Sequence, residues 1–161
     1  MYYPIYILSL LPFRILYILS DIGYLLMYYI VRYRRRIVRN NLSSSFPEKG
    51  EDEIKDIERK FYHWFCDYFL ETIKLLSISD TELRRRLKIV GAEQLEERFK
   101  AGQDCAGLLG HYCNWEWLSC IGIAFPEGRK IGLVYKPLRS KGIDNLFRRI
   151  RSSQPSSLVV P

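Results

Sequence analysis

Leu108-Leu109-Gly110-His111-Tyr112-Cys113-Asn114-Trp115-Glu116-Trp117 is the stretch on which the reading of this 161-residue chain turns. The apolar run 105–109 predicts a short buried strand, and Gly110 predicts a sharp turn after it. His111 then falls at the strand's C-terminal end, five residues before Glu116. Positions five apart on one α-helix point about 140° away from each other. The two side chains therefore meet only if His111 lies in the turn before a helix and Glu116 in its first turn. Asn114 as N-cap and a helix over 115–123 satisfy that condition. A histidine oriented by a carboxylate at a strand end is a ready general base, so His111 and Glu116 form a candidate catalytic dyad.

Outward from this stretch, strands and helices alternate. Residues 88–90 predict a brief strand, 92–100 a helix stopped by Gly102, 126–128 a turn, 130–135 a strand, and 141–151 a basic amphipathic helix. Such alternation predicts an α/β layer with a mainly parallel sheet and ligands at the C-terminal ends of its strands. Tyr135 and Lys136 fall at such an end, as His111 does. Residues 154–161, with Pro155 and Pro161, predict no further element. About three strands make an incomplete sheet, so the chain reads as an N-terminal portion of something longer.

Toward the N-terminus, 51–76 is the clearest amphipathic helix. Ile54, Ile57, Phe61, Trp64, Phe65, Tyr68, Thr72 and Leu75 recur at three- and four-residue spacing, and Glu51, Asp52 and Glu53 occupy the first turn. His63 on this helix reads as a packed or surface residue rather than a ligand or base. Ser79 and Glu82 have capping-box spacing for a short helix through Arg86. Residues 40–50, with Ser43, Ser44, Ser45 and Pro47, read as a linker that breaks any helix.

The segment 2–31 carries two charges, Arg14 and Asp21. It is long enough to span a bilayer, which takes about 20 apolar residues. Arg14 and Asp21 lie seven apart on one helical face, which keeps an in-plane, half-buried helix as the alternative. No basic region precedes the apolar run and no A-x-A site comes after it, which argues against a cleaved signal peptide. Arg32, Arg34, Arg35, Arg36 and Arg39 come next, read as contacts to lipid headgroups and as marking the remainder of the chain as cytoplasmic.

Lysine and arginine number 25 against 18 acids, a net charge of +7 that favours an anionic partner. The apolar first thirty residues point to a membrane, and no nucleic-acid recognition motif is visible. Cys66, Cys105, Cys113 and Cys120 form no C-x-x-C pair and read as free, mostly buried thiols. Zinc at His111, Cys113 and Cys120 would lack a close Cys/His pair. An acyl-cysteine at Cys113 is the rival chemistry, although nothing in the sequence marks a stabilised thiolate there.

Gly110-His111-Tyr112-x-Asn114-Trp115-Glu116 resembles the G-H-x-x-N-W-E form of the bacterial lipid A biosynthesis (late, secondary) acyltransferases, within the lysophospholipid acyltransferase superfamily. Val134-Tyr135-Lys136-Pro137-Leu138 and Arg148-Arg149-Ile150-Arg151-Ser152 support the resemblance, which covers nearly the whole chain in order. It implies an α/β fold of the glycerolipid acyltransferase type behind an N-terminal membrane helix. The divisions are 1–39 as membrane anchor with basic flank, 40–87 as linker and amphipathic helices, and 88–161 as the first part of the catalytic domain. It implies O-acyl transfer from acyl carrier protein to a hydroxyl of a lipid A precursor, at the cytoplasmic face of the bacterial inner membrane. Neither a cofactor nor a metal is required. His111 and Glu116 would be catalytic, and Asn114, Tyr135, Arg149 and Arg151 would bind substrate. An inactive membrane-anchored fragment, or an enzyme acting on another lysophospholipid-like acceptor, are the alternatives.

Overall fold

Pro12 divides the N-terminal apolar stretch. The computed structural model describes residues 2–125, 131–153 and 157–160. Proline disfavours helical backbone in the residue before it. Helix α1 (Tyr2–Leu10) accordingly stops short of Pro12, and α2 (Phe13–Leu25) starts after it and runs on into a π-helical segment, Leu26–Val31. The single segment expected over 2–31 is therefore two helices. Phe13–Val31, 19 residues, is long and apolar enough to cross a membrane. The chain forms two compact units, Leu11–Glu71 and Met1–Leu10 with Thr72–Pro161.

In the unit Leu11–Glu71, α2 and α4 (Glu51–Lys74) lie side by side and antiparallel. The pairs run in opposite order along the two helices. Tyr17 Oη donates to Glu71 at 3.0 Å, His63 Nε2 lies 2.8 Å from Asp21 Oδ1, and the Tyr28 and Tyr62 rings are 5.4 Å apart. Phe13, Leu16, Ser20 and Tyr28 form the buried stripe of this stretch, at helical spacing. Ile15, Ile18, Ile22, Leu25 and Ile30 remain exposed. His63, also 3.4 Å from Asp67 Oδ2, is a structural link.

The expected linker is largely helical. Helix α3 (Arg35–Ser45) carries through all three serines and ends at Phe46, immediately before Pro47. Serine weakens a helix interior only mildly, whereas the proline imposes the stop. Glu58, fully buried on α4, accepts from Arg35 Nε at 3.0 Å and Arg39 Nε at 2.6 Å. Burial alone would raise its pKa, but the hydrogen bonds from Arg39 and Arg35 outweigh burial and hold it below the usual carboxylate range. The Tyr62 hydroxyl donates to the Tyr33 carbonyl beside this group.

In the other unit, Lys74 Nζ and Ser77 Oγ donate to the Ser9 carbonyl at 2.8 and 2.6 Å, tying α1 to the chain after Glu71. Ser79 Oγ accepts the Glu82 N–H at 3.3 Å and caps α5 (Asp80–Arg86), while the Glu82 carboxylate turns to Arg85 and Arg86. Helix α6 (Ala92–Lys100) ends before Gly102, whose φ is +74°.

The strands expected over 88–90 and 105–109 do not form; both stretches are irregular. A strand needs a neighbour to receive its ladder hydrogen bonds. Among the described residues these runs have none, and Val90 and Leu108 are almost wholly exposed. Strand β1 (Ile131–Val134) forms but ends one residue before the expected Tyr135; Lys130 lies outside the described residues, as does the turn over 126–128. Helix α7 (Lys141–Arg151) matches its expected bounds and buries Ile150. It carries the chain over to β2 (Ser157–Val160), which pairs parallel with β1, Ile131 opposite Ser157 and Val134 opposite Val160. β2 lies where no element is expected; a partner strand gives the run from Leu158 to Val160 the ladder that 105–109 lacks. The fold is a mainly helical α/β arrangement with a small parallel sheet and an apolar N-terminal helix.

Candidate active site

His111 lies within an irregular run, 103–112, instead of after a strand. The chain turns tightly after Gly110, the Tyr112 N–H donating to the Gly110 carbonyl at 3.0 Å, but the left-handed residue is Cys113, at φ +48°. The helix after Asn114 is a 3₁₀-helix, Trp115–Ala124. Asn114 occupies its N-cap position without a side-chain cap bond, and its Oδ1 accepts from Thr72 Oγ1 at 3.4 Å instead. Three residues per turn place Glu116 and Ser119 on one edge of that helix. Both are buried, and Ser119 Oγ donates to the Glu116 carbonyl at 2.7 Å.

The expected His111–Glu116 hydrogen bond is not formed among the described residues. Arg151 takes both carboxylate oxygens of Glu116, Nη2 to Oε1 at 2.7 Å and Nε to Oε2 at 2.9 Å. This is the fork-on-fork pairing that suits a guanidinium to a carboxylate, and Glu116 is only 3 % exposed. The His111 ring packs edge-on against Trp115, centroids 4.6 Å apart. Arg151 in turn lies 5.1 Å from the centre of the Tyr135 ring and 5.4 Å from that of Phe147.

His111, Glu116, Tyr135 and Arg151 line one cleft of about 410 Å³. Leu109, Trp115, Leu118, Leu133, Val134 and Leu138 give it an apolar wall, and Lys136 contributes a cation. Asn114 and Arg149 are not among its lining residues. The Arg149 guanidinium lies 4.3 Å from the centre of the Tyr2 ring of α1.

Asp144 is a residue of this region that the sequence reading misses. Its Oδ1 accepts the Leu138 N–H at 2.8 Å and its Oδ2 the Tyr135 hydroxyl at 3.2 Å, fixing the loop between β1 and α7. Burial, followed by the Asp144 charge, pushes the Tyr135 hydroxyl above its usual pKa. A signal exists: Asp144 is the single acid between Ile131 and Ser153, in the first turn of a basic helix. Cys113 is exposed, while burial pushes the Cys120 thiol up. Cys66 is buried and Cys105 exposed, so two of the four thiols depart from the expected burial. Among the described residues no His/Cys/Asp/Glu group of three has metal-site geometry.

The cleft thus joins a histidine, a braced carboxylate and an apolar wall. No curated protein and no solved structure matches the chain. The family model for bacterial lipid A biosynthesis acyltransferases does match, over residues 3–160. With that match running from α1 through β2, the chain belongs to the bacterial lipid A biosynthesis acyltransferase family and is an acyltransferase.

Proposed function

We propose that the enzyme moves a fatty acyl chain from an acyl-carrier-protein thioester to a hydroxyl of a lipid A precursor, with His111 as general base. The observation that carries this reading is the shared cleft, which His111 lines together with a buried carboxylate held by Arg151 on both oxygens. The acceptor hydroxyl gives its proton to an imidazole nitrogen of His111 as its oxygen attacks the thioester carbonyl carbon. Collapse of the tetrahedral intermediate breaks the C–S bond, and His111 returns the proton to the departing thiolate. The Glu116 carboxylate stabilises the imidazolium formed between these steps, and Arg151 keeps that carboxylate in place. The apolar wall holds the acyl chain, and Tyr135 and Arg151 contact the polar end of the substrate. Asn114 and Arg149 act from outside the cleft, Asn114 through Thr72 and Arg149 through Tyr2.

Radiolabelled acyl-carrier-protein and acyl-coenzyme A, each offered with the lipid A precursor, test donor and acceptor together. The expected product is an alkali-labile ester formed from the carrier-protein donor; transfer from coenzyme A alone, or an alkali-stable amide, would defeat the proposal.

The unit Leu11–Glu71 attaches the enzyme to the inner membrane from the cytoplasmic side, as the arginines after Val31 favour. It does so in the plane of one leaflet. Helix α4 bears charges along its whole length, from Glu51 and Asp52 through Lys55, Arg59 and Lys60 to Asp67 and Glu71, and charges deep in a bilayer are expensive. The pairs Tyr17–Glu71 and Asp21–His63 hold α2 at the same depth as α4. Alkaline carbonate should release the protein from membranes; retention there would restore the span.

A further inference from the structure

Between the end of the apolar helix and the start of α3, the backbone turns twice through left-handed conformations, at Arg32 (φ +53°) and Arg34 (φ +53°). Such conformations are uncommon for a side-chain-bearing residue. Their result is a surface cavity of about 280 Å³ lined by Arg32, Arg35, Arg36 and Arg39. Among the described residues one acid, the buried Glu58, forms ion pairs within this group, with Arg35 and Arg39. Arg32 Nε reaches the Tyr29 carbonyl at 3.4 Å, and Arg36 has no ion pair or hydrogen bond among the described residues. Four guanidiniums against one carboxylate leave a local excess of positive charge. The start of α3 adds to it, because a helix N-terminus is the positive end of the dipole and its first turn holds no acid.

We propose that Arg32, Arg35, Arg36 and Arg39 form a built site for the phosphate of an anionic lipid headgroup. Guanidiniums bind phosphate oxygens in pairs, and Glu58 holds two of them in place before any ligand arrives. The site lies directly after Val31, where the exposed apolar residues Ile30 and Val31 end, so a lipid whose tails lie along that face brings its phosphate to the arginines. This differs from diffuse attraction between a basic protein and an anionic surface, because it assigns binding to particular side chains.

The full chain is tested by flotation with phosphatidylcholine vesicles, with and without phosphatidylglycerol. Arg32→Gln/Arg36→Gln should weaken partition onto the anionic vesicles roughly thirtyfold. Lys88→Gln/Lys100→Gln, which removes the same charge at exposed positions of the other unit, should change it little. Arg36→Gln alone breaks no contact in the fold and should lose about fivefold, which guards against misfolding of the double variant. Equal losses in the arginine and lysine pairs would overturn the site in favour of diffuse charge. Release of wild-type protein by inorganic phosphate, at ionic strength matched with chloride, would also overturn it by making a soluble anion the ligand.

Discussion

Two glutamates, one in each unit, are buried and gripped by arginine. Glu58 is enclosed between Arg35 and Arg39 and bordered by Tyr28 and Tyr62. Glu116 is held by Arg151 on both oxygens and lines a cleft that His111 also lines. A buried carboxylate under a guanidinium is therefore no mark of a catalytic site. What separates the two is their surroundings: Glu116 itself lines a cleft together with His111, whereas Glu58 is wholly buried beneath Arg35 and Arg39.

The comparison breaks most readily on catalysis. His111→Ala should lower kcat about 10²–10⁴-fold with the thermal midpoint unchanged, since the residue is exposed. Glu116→Gln should lose less, because an amide still accepts from Arg151 but does not stabilise imidazolium. Glu58→Gln should leave the rate per folded molecule unchanged. A Glu58→Gln enzyme as slow as Glu116→Gln would erase the distinction.

Stability should reverse the ranking. Arg35→Gln/Arg39→Gln strands a fully buried charge, which destabilises by about 3–5 kcal/mol, measurable by denaturant unfolding in detergent. A smaller effect tests the same group through pH. The folded-state pKa of Glu58 lies below its unfolded value. Its contribution is therefore fully present above the unfolded carboxylate pKa, about 4.3, and is lost as pH falls from there through the lower folded value. Glu58→Gln should flatten the acid limb of the stability curve. An unaltered limb would mean that Glu58 is not the group being titrated.

Cys113→Ser should have the smallest effect, within about 0.5 kcal/mol in stability and nearly silent in rate. Loss of transfer in that variant, with Glu116→Gln still active, would move the chemistry from histidine to cysteine.

The helices are legible in the sequence because their signals are local. Glu51 to Glu53 at the start of α4, Ser79 before α5 and Gly102 after α6 each act within one turn of the residue that carries the signal. Strands depend on a partner that no short window contains, so 105–109 reads as a strand and Ser157–Val160 does not. His111, Glu116, Tyr135 and Arg151 can be picked out one by one. The partner of Glu116 cannot, since Arg151 lies 35 residues away. One refinement is open to the sequence alone. Residues two apart on an α-helix point about 160° apart, so Arg149 and Arg151 cannot both face the same site, and they do not.

If α2 lies in one leaflet as proposed, the membrane's shape matters. A helix lying in one leaflet, with Ile15, Ile18, Ile22, Leu25 and Ile30 turned outward, pushes headgroups apart on that side without entering the other. Such a wedge settles most readily where lipids are already splayed, on strongly curved or loosely packed bilayers. Sonicated vesicles should hold more protein than large extruded ones of the same composition at equal lipid area. Equal binding would mean that α2 does not act as a wedge.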